Sequence, residues 1–190
     1  MNHEVVINKL TWKMIGPEHH IPVENLPERY KVSMFAYKYS GNDHKYWEQL
    51  EFHVYKDGKR IVTFCRNHPT IVNCVYAKQN GKEFIITSGD YMCVTIVNLT
   101  DGTVESYTDE SRYGDGLAYC PSSFGWDENE NTLNIIGCIW GSAGDDLITF
   151  TNIDLLNPVI DYSKADIEYL DSVDDDCDEE DDDDDEYYDD

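Results

Sequence analysis

Turn-forming dipeptides divide the middle of this chain into short apolar segments. Asp57-Gly58, Asn80-Gly81 and Asp101-Gly102 each stand between two such segments. Asn-Gly and Asp-Gly readily adopt the positive φ angles of tight hairpin turns. Segments this short favour strands over helices, so the spacing of the turns predicts a chain built from antiparallel hairpins.

The hydrophobic pattern agrees with this prediction. Leu50, Phe52 and Val54 fall on every second position, which is the period of a half-buried strand. Fourteen Tyr and many β-branched residues also favour sheets. We predict strands at 30–39, 47–54, 60–65, 71–77, 84–87, 92–99, 103–108, 117–120, 124–126, 133–140, 147–153 and 159–162. One short helix is predicted over 163–170, where Ser163 and Asp166 form a variant of the capping box.

Part of the strand pattern repeats. The segments that begin at Phe84 and Leu133 are similar over several strands, with an offset of about 50 to 55 residues. A weaker copy at 58–63 resembles 81–87. A period of this length with about four strands per copy is typical of propeller blades.

The run Thr95-Ile96-Val97-Asn98-Leu99, followed by Thr100-Asp101-Gly102, resembles the third and fourth strands of a WD40-type blade. Val97-Asn98 stands where that family has Trp-Asp. The resemblance covers about residues 71–163 and implies blade-like sheets with a binding surface; it carries over no catalytic residue. Closed propellers need four to eight blades, and this chain supplies about three. We therefore expect an all-β fold, an antiparallel meander of propeller-blade-like sheets that forms an open or incomplete propeller or a sandwich.

The C-terminal segment has a different composition. Residues 171–190 contain fifteen Asp or Glu and no Lys or Arg. Such a run repels itself and buries too little apolar surface to fold alone. We therefore predict one β-rich domain over 1–170 and a disordered acidic tail over 171–190. The candidate partner-binding residues are Asp181, Asp182, Asp183, Asp184, Asp185, Glu186, Tyr187 and Tyr188.

The charge limits the partners. Residues 1–170 hold 24 acids against 14 Lys or Arg, a net charge of −10, so the body is acidic as well. We expect basic proteins as partners, and neither direct nucleic-acid binding nor membrane binding. Six Cys without any CxxC pair predict free thiols in a reducing compartment, the cytoplasm or the nucleus. The N-terminus does not have the pattern of a signal peptide.

Few residues suggest a catalytic or metal-binding site, and we predict no metal, no cofactor and no catalytic residue. Glu18-His19-His20 is interpreted as a solvated loop, and the spacing of Cys65 and His68 lacks the second pair that a zinc site needs. The predicted function is an interaction protein. The alternative is a hydrolase-like enzyme for a small or sugar-like substrate, with its site in the Asp/Gly loops. The carboxylates for such a site, or for Ca²⁺, would be Asp115, Asp127, Asp145 and Asp146.

Overall fold

The structure, a computed structural model, describes residues 12–39, 48–66, 73–88, 93–108, 119–139 and 145–170. These residues form thirteen strands in three sheets, and no sheet of the described strands closes into a barrel. No helix among the described residues is long and apolar enough to span a membrane.

Sheet A is an antiparallel meander of four strands in the order β1-β3-β4-β5. Its strands are β1 (Trp12–His20), β3 (Tyr30–Tyr39), β4 (Glu48–Lys56) and β5 (Lys59–Arg66). Between β1 and β3 the chain forms the two-residue strand β2 (Val23–Glu24). This strand pairs in parallel with β6 and thereby links the first part of the chain to the next sheet.

Sheets B and C continue the same architecture. Sheet B has the order β2-β6-β7-β8-β9, with β6 (Cys74–Gln79), β7 (Lys82–Ser88), β8 (Cys93–Asn98) and β9 (Val104–Thr108). Sheet C has the order β10-β11-β12-β13, with β10 (Tyr119–Asp127), β11 (Thr132–Ile139), β12 (Asp145–Phe150) and β13 (Asp166–Leu170). Consecutive strands are antiparallel neighbours in both.

Sheet B lies between the other two sheets and is buried on both faces. Alternate residues of β7 show this arrangement: Phe84 and Ile86 pack towards sheet C, while Ile85 packs towards sheet A. All three side chains are buried. A strand buried on both faces has no polar alternation, which explains why the sequence here is a continuous apolar run.

Tight turns gather at one rim of the three sheets. Asp57-Gly58 and Asn80-Gly81 both have positive φ at their two residues, as the hairpin prediction requires. The links β8–β9 and β10–β11 also turn there. We call this edge the turn rim. The strand ends at the opposite rim flank segments that lie outside the described residues.

The predicted all-β meander is confirmed, and the likeness to propeller blades is loose: each sheet contains a four-strand meander. The predicted pieces 117–120 and 124–126 belong to one strand, β10, which has a bulge between Pro121 and Ser123. The echo between 58–63 and 81–87 reflects the shared hairpin turn, because β5 and β7 occupy different positions in their sheets.

Three predictions of local structure are wrong. The predicted helix over 163–170 is a single 3-10 turn, Tyr162–Lys164, followed by strand β13, because residues 166–170 pair with β12. The predicted strand at 159–162 is absent from the described chain, and β13 takes its place as the fourth strand. His19 and His20 lie in strand β1 and not in a loop. The predicted tail, 171–190, lies outside the described residues.

Candidate interaction surface

Glu83 lies between sheets A and B at the turn rim, with its side chain 13% exposed. Its Oε2 accepts a hydrogen bond from Tyr30 Oη at 2.8 Å, and its Oε1 accepts one from Tyr76 Oη at 2.6 Å. Arg29 Nη2 also donates to Oε1. Lys56 Nζ lies 3.9 Å from Oε2. One carboxylate therefore joins the start of β3 and the end of β4 to β6 and β7.

The surroundings of Glu83 determine its protonation. Burial alone raises the pKa of its carboxyl, but hydrogen bonds from Tyr76, Tyr30 and Arg29 outweigh burial and hold the pKa at about 2. For Tyr76, burial and then the hydrogen bond to Glu83 raise the phenol pKa well above its usual range. At neutral pH the cluster thus contains an ionised carboxylate and a neutral Tyr76 phenol.

The ring of Tyr30 adds a further contact for the cations. Arg29 Cζ and Lys56 Nζ each lie 5.3 Å from the centre of this ring. At that distance the ring quadrupole attracts a positive charge. The two cations are therefore held by the ring as well as by Glu83, at the edge of the interface between sheets A and B.

Further basic residues flank both neighbouring hairpin turns. Lys56 and Lys59 pair across one turn, and Lys78 pairs in register with Glu83 beside the other. Lys59, Arg60 and Lys78 are exposed, and no carboxylate of the described residues forms an ion pair with them. We call the six basic residues of this region the basic rim. They are Arg29, Lys56, Lys59, Arg60, Lys78 and Lys82.

The basic rim is positive even when its own acids are counted. Four carboxylates share this part of the molecule: Glu28, Asp57, Glu83 and Asp101. Six cations and four anions give a net charge of +2. Glu83 is the carboxylate most enclosed by cations, and Asp101 is engaged by hydrogen bonds from Thr103. The exposed charge at this surface is therefore mainly cationic.

The chain as a whole is strongly polarised. Residues 1–82 carry twelve Lys or Arg against eight Asp or Glu, a net charge of +4. Residues 83–170 carry two against sixteen, a net charge of −14, and residues 171–190 carry −15. Positive charge is thus concentrated in sheet A and the first strands of sheet B.

Sheet C and its links form the acidic end of the described chain. Residues 119–170 contain nine Asp or Glu and one basic residue, Lys164. Lys164 Nζ pairs with Asp161 Oδ2 at 2.5 Å, and Asp161 also accepts a hydrogen bond from Ser163 N at the start of the 3-10 turn. The one cation of this region is therefore already paired.

Sequence reasoning missed the basic rim. It treated residues 1–170 as one body of net charge −10, which averages a positive first half with a negative second half. A running sum of charge along the chain would have indicated a positive region, because residues 1–82 carry +4 and residues 83–170 carry −14. Lys59, Arg60 and Lys78 come to the same rim as Arg29 only because the β4–β5 turn and the β6–β7 turn lie at one end of sheets A and B.

The predicted site residues of the tail, Asp181 to Tyr188, lie outside the described residues, as does Asp115. The other carboxylates of the predicted enzyme or Ca²⁺ site are not brought together. Asp127 Oδ1 accepts hydrogen bonds from the turn amides that follow it, while Asp145 and Asp146 begin β12 at the opposite end of sheet C. Asp146 is buried opposite Gly137, and Asp145 is exposed.

The described histidines, His19, His20 and His53, do not gather into a metal site. His19 and His20 follow each other in β1, and adjacent strand residues point to opposite faces. His20 Nδ1 lies 3.9 Å from Glu18, whose carboxylate accepts a hydrogen bond from the buried Ser33 hydroxyl at 2.5 Å. Among the described residues, no group of three or more His, Cys, Asp or Glu could hold a metal ion. His68 lies outside them.

His53 is a buried histidine whose two ring nitrogens both have polar neighbours in sheet A. Its Nε2 lies 2.7 Å from Glu51 Oε1, and its Nδ1 lies 3.3 Å from Tyr55 Oη. The ring of Phe35 packs 4.7 Å away. Both ring nitrogens thus have partners within the sheet, so the arrangement accounts for His53 as part of the structure of sheet A.

In the part of the chain that the structure describes, the cysteines are thiols that form no disulfide, as predicted. Burial raises the pKa of the Cys74 thiol to about 11, although its hydrogen bond to Thr87 acts in the opposite direction. Cys120 and Cys138 face each other across β10 and β11. Burial and the neighbouring Cys138 raise the pKa of Cys120. Cys74 and Cys120 are therefore protonated at neutral pH and are poor nucleophiles.

Comparison with known proteins gives no relative: no protein-family model matches the chain, and neither a curated protein nor a solved structure matches it.

Proposed function

We propose that this protein is an intracellular interaction module whose acidic C-terminal segment binds basic proteins. The single observation that carries the proposal is the segment 171–190, with fifteen Asp or Glu and no Lys or Arg. Such a run attracts a cationic partner over distances of about 10 Å at moderate salt, which raises the rate of association.

The acidic end of the body supports this proposal. The nine carboxylates of residues 119–170 extend the negative field beyond the tail. Because β13 ends at Leu170, the tail leaves directly from this sheet. Sheet C therefore adds negative charge close to the point where the tail begins, and a basic partner bound by the tail would be attracted by both. Tyr187 and Tyr188 would add an apolar contact to the charges around them.

Deleting 171–190 is the direct experiment. The full chain and the deleted chain are titrated with poly-lysine and with a histone-like protein, at about 50 mM and about 300 mM salt. We expect the full chain to bind more tightly at low salt, and the difference to shrink at high salt because charge interactions between exposed groups are screened. Equal binding by both chains would contradict the proposal.

A second pair of variants separates charge from sequence. In one, Asp181 to Asp185 and Glu186 are changed to Asn or Gln; in the other, the residues of 171–190 are shuffled. The proposal expects the neutralised tail to lose affinity and the shuffled tail to keep it. Loss in both variants would indicate a sequence motif instead of a polyanion.

A further inference from the structure

Three cations of the basic rim form no ion pair with a carboxylate of the described chain. Lys59 and Arg60 at the start of β5 and Lys78 at the end of β6 are exposed and form no ion pair with a described carboxylate. Arg29 and Lys56 share the single negative charge of Glu83. In a chain of net charge −25 such a concentration of positive charge is unusual, and its natural ligand is an acidic chain segment.

The acidic tail is long enough to reach this surface. It starts after Leu170, which pairs with Asp145 at the end of sheet C opposite the turn rim. The six residues of β12 span about 20 Å. Stacked sheets lie about 10 Å apart, so the path across the layers adds about 20 Å. Twenty extended residues reach about 66 to 72 Å, which covers this path with length to spare.

Tethering favours the tail over any external polyanion. The net charge of −14 on residues 83–170 repels a free nucleic acid or polysaccharide that approaches the basic rim. The tail is repelled too, but it cannot leave. Covalent attachment over a span of this length holds a chain segment at a local concentration in the millimolar range.

We propose that residues 171–190 bind the basic rim of their own molecule, and that a basic partner must displace the tail from it. The docked tail would be held by several exposed ion pairs. Each pair would contribute little binding energy, and salt would weaken all of them. The regulatory half of this proposal rests on the proposed function, because it assumes a basic partner. The docking itself does not.

Carbodiimide coupling, which joins carboxylates to lysine amines in direct contact, tests the docking on the full chain. We expect links from 171–190 to Lys56, Lys59, Lys78 and Lys82 to exceed those to Lys13, Lys38 and Lys164. The excess should disappear at about 0.5 M salt, where the Debye length is only a few ångströms. Its yield should not change with protein concentration.

Three results would overturn the docking. The first is an even distribution of links over all lysines. The second is a yield that rises with protein concentration, which would place the tail of a second copy on the rim. The third is heparin protecting the rim lysines in the full chain and the tail-deleted chain equally, which would assign the rim to an external polyanion.

Two matched variants test the regulation. Lys59→Glu/Arg60→Glu alters the basic rim, while Lys13→Glu/Lys38→Glu makes the same change of charge on an exposed cross-strand pair of β1 and β3. If about a tenth to a third of the molecules have a free tail, releasing it raises the affinity for poly-lysine by roughly threefold to tenfold. We expect this gain from the rim variant beyond any gain from the control.

Equal gains in both variants would overturn the regulation. If the full chain fails to bind poly-lysine at all, the proposed function fails while the crosslinking result still decides the docking. Circular dichroism of both variants checks that sheet content is unchanged.

Discussion

The two interfaces of sheet B differ in how they are held at the turn rim. Against sheet A, the ionised Glu83 joins two cations and two phenols. Against sheet C, the buried neutral amide of Gln79 makes the link. Its Nε2 donates to Asn131 Oδ1 and to Ile153 O, both at 2.8 Å, and its Oε1 accepts from Leu155 N at 2.8 Å.

The remaining packing of the two interfaces is similar. Sheet A contributes Phe52 and Phe64, stacked 4.9 Å apart, and sheet C contributes Leu133, Ile135 and Ile148. The comparison teaches that apolar packing joins both pairs of sheets, while the polar contact at the rim determines how each responds to charge. The amide of Gln79 is uncharged, so the strength of its contacts depends little on pH and salt. The contacts of the Glu83 carboxylate with cations depend on both.

The largest effect is expected from the shared apolar packing. Phe84, 1% exposed, packs towards sheet C, and Phe52, also 1% exposed, packs towards sheet A. We expect Phe84→Ala and Phe52→Ala each to lower the free energy of unfolding by about 3 to 5 kcal/mol, because each leaves a cavity in a closed core. Urea denaturation measures both. A loss below about 1 kcal/mol for Phe52→Ala would show that sheet A packs only loosely on sheet B.

The next effect concerns the strands that build sheet C. A Cβ added at Gly137 would lie 2.3 Å from Cys120 O and 2.9 Å from Pro121 Cα, both backbone atoms. Gly137→Ala should therefore cost about 2 to 3 kcal/mol, since β10 and β11 must separate. Gly125→Ala is the matched control in the same hairpin, because its Cβ would meet Asn134 Cβ at an ordinary 3.6 Å. Similar melting temperatures for the two variants would contradict the close approach of the strands.

A smaller effect is expected from Glu83→Gln. The glutamine keeps the shape and one acceptor oxygen for the Tyr30 and Tyr76 hydroxyls, but it loses the charge that pairs with Arg29 and Lys56. Because the two cations are partly exposed and can be hydrated, we expect a loss of about 1 to 2 kcal/mol. Thermal unfolding at neutral pH measures it. An unchanged stability would mean that the carboxylate does not join the sheets.

The loss of stability in Glu83→Gln should depend on pH, which distinguishes the contact of sheet B with sheet A from its contact with sheet C. The folded-state pKa of Glu83 is about 2, below its usual value of 4.5, so the folded state binds the proton less readily than the unfolded state. The stabilisation is therefore complete above about pH 5 and is lost as the pH falls towards 2. The gap between the wild-type chain and Glu83→Gln should close over that range.

Gln79→Ala serves as the control for the pH series. It removes a neutral contact, so its cost of about 1 to 3 kcal/mol should not depend on the ionisation of the residue it replaces. A Glu83→Gln gap that stays constant down to about pH 2.5 would contradict the depressed pKa.

Much of the fold was predictable from local patterns. The alternation of Leu50, Phe52 and Val54 and the turn at Asn80-Gly81 are local signals, and both the strands and the turn are where they indicate. β13 was missed because a strand at the edge of a sheet needs a partner distant in sequence. Residues 166–170 pair with β12 after a long link, and the Ser163–Asp166 spacing suggested a helix cap instead.

The candidate site was less predictable than the fold. The acidity of the tail is plain in the sequence, but the rim around Glu83 joins Arg29 to Lys56 and Lys78 across two sheets. These residues are far apart in the chain, and their spacing contains no motif. An alternating pattern such as Leu50, Phe52 and Val54 says that one face of a strand is buried, and it does not say which sheet will cover that face.

By itself, the sequence determined most of the strands, their tight turns and the concentration of acidic residues in 171–190, because alternation, turn chemistry and charge density are local properties. The tertiary structure decided that sheet B would be the middle layer, that Glu83 would be enclosed by cations and phenols, and that the positive charges would meet at one rim. Those outcomes depend on which faces pack together, and packing joins residues that are distant along the chain.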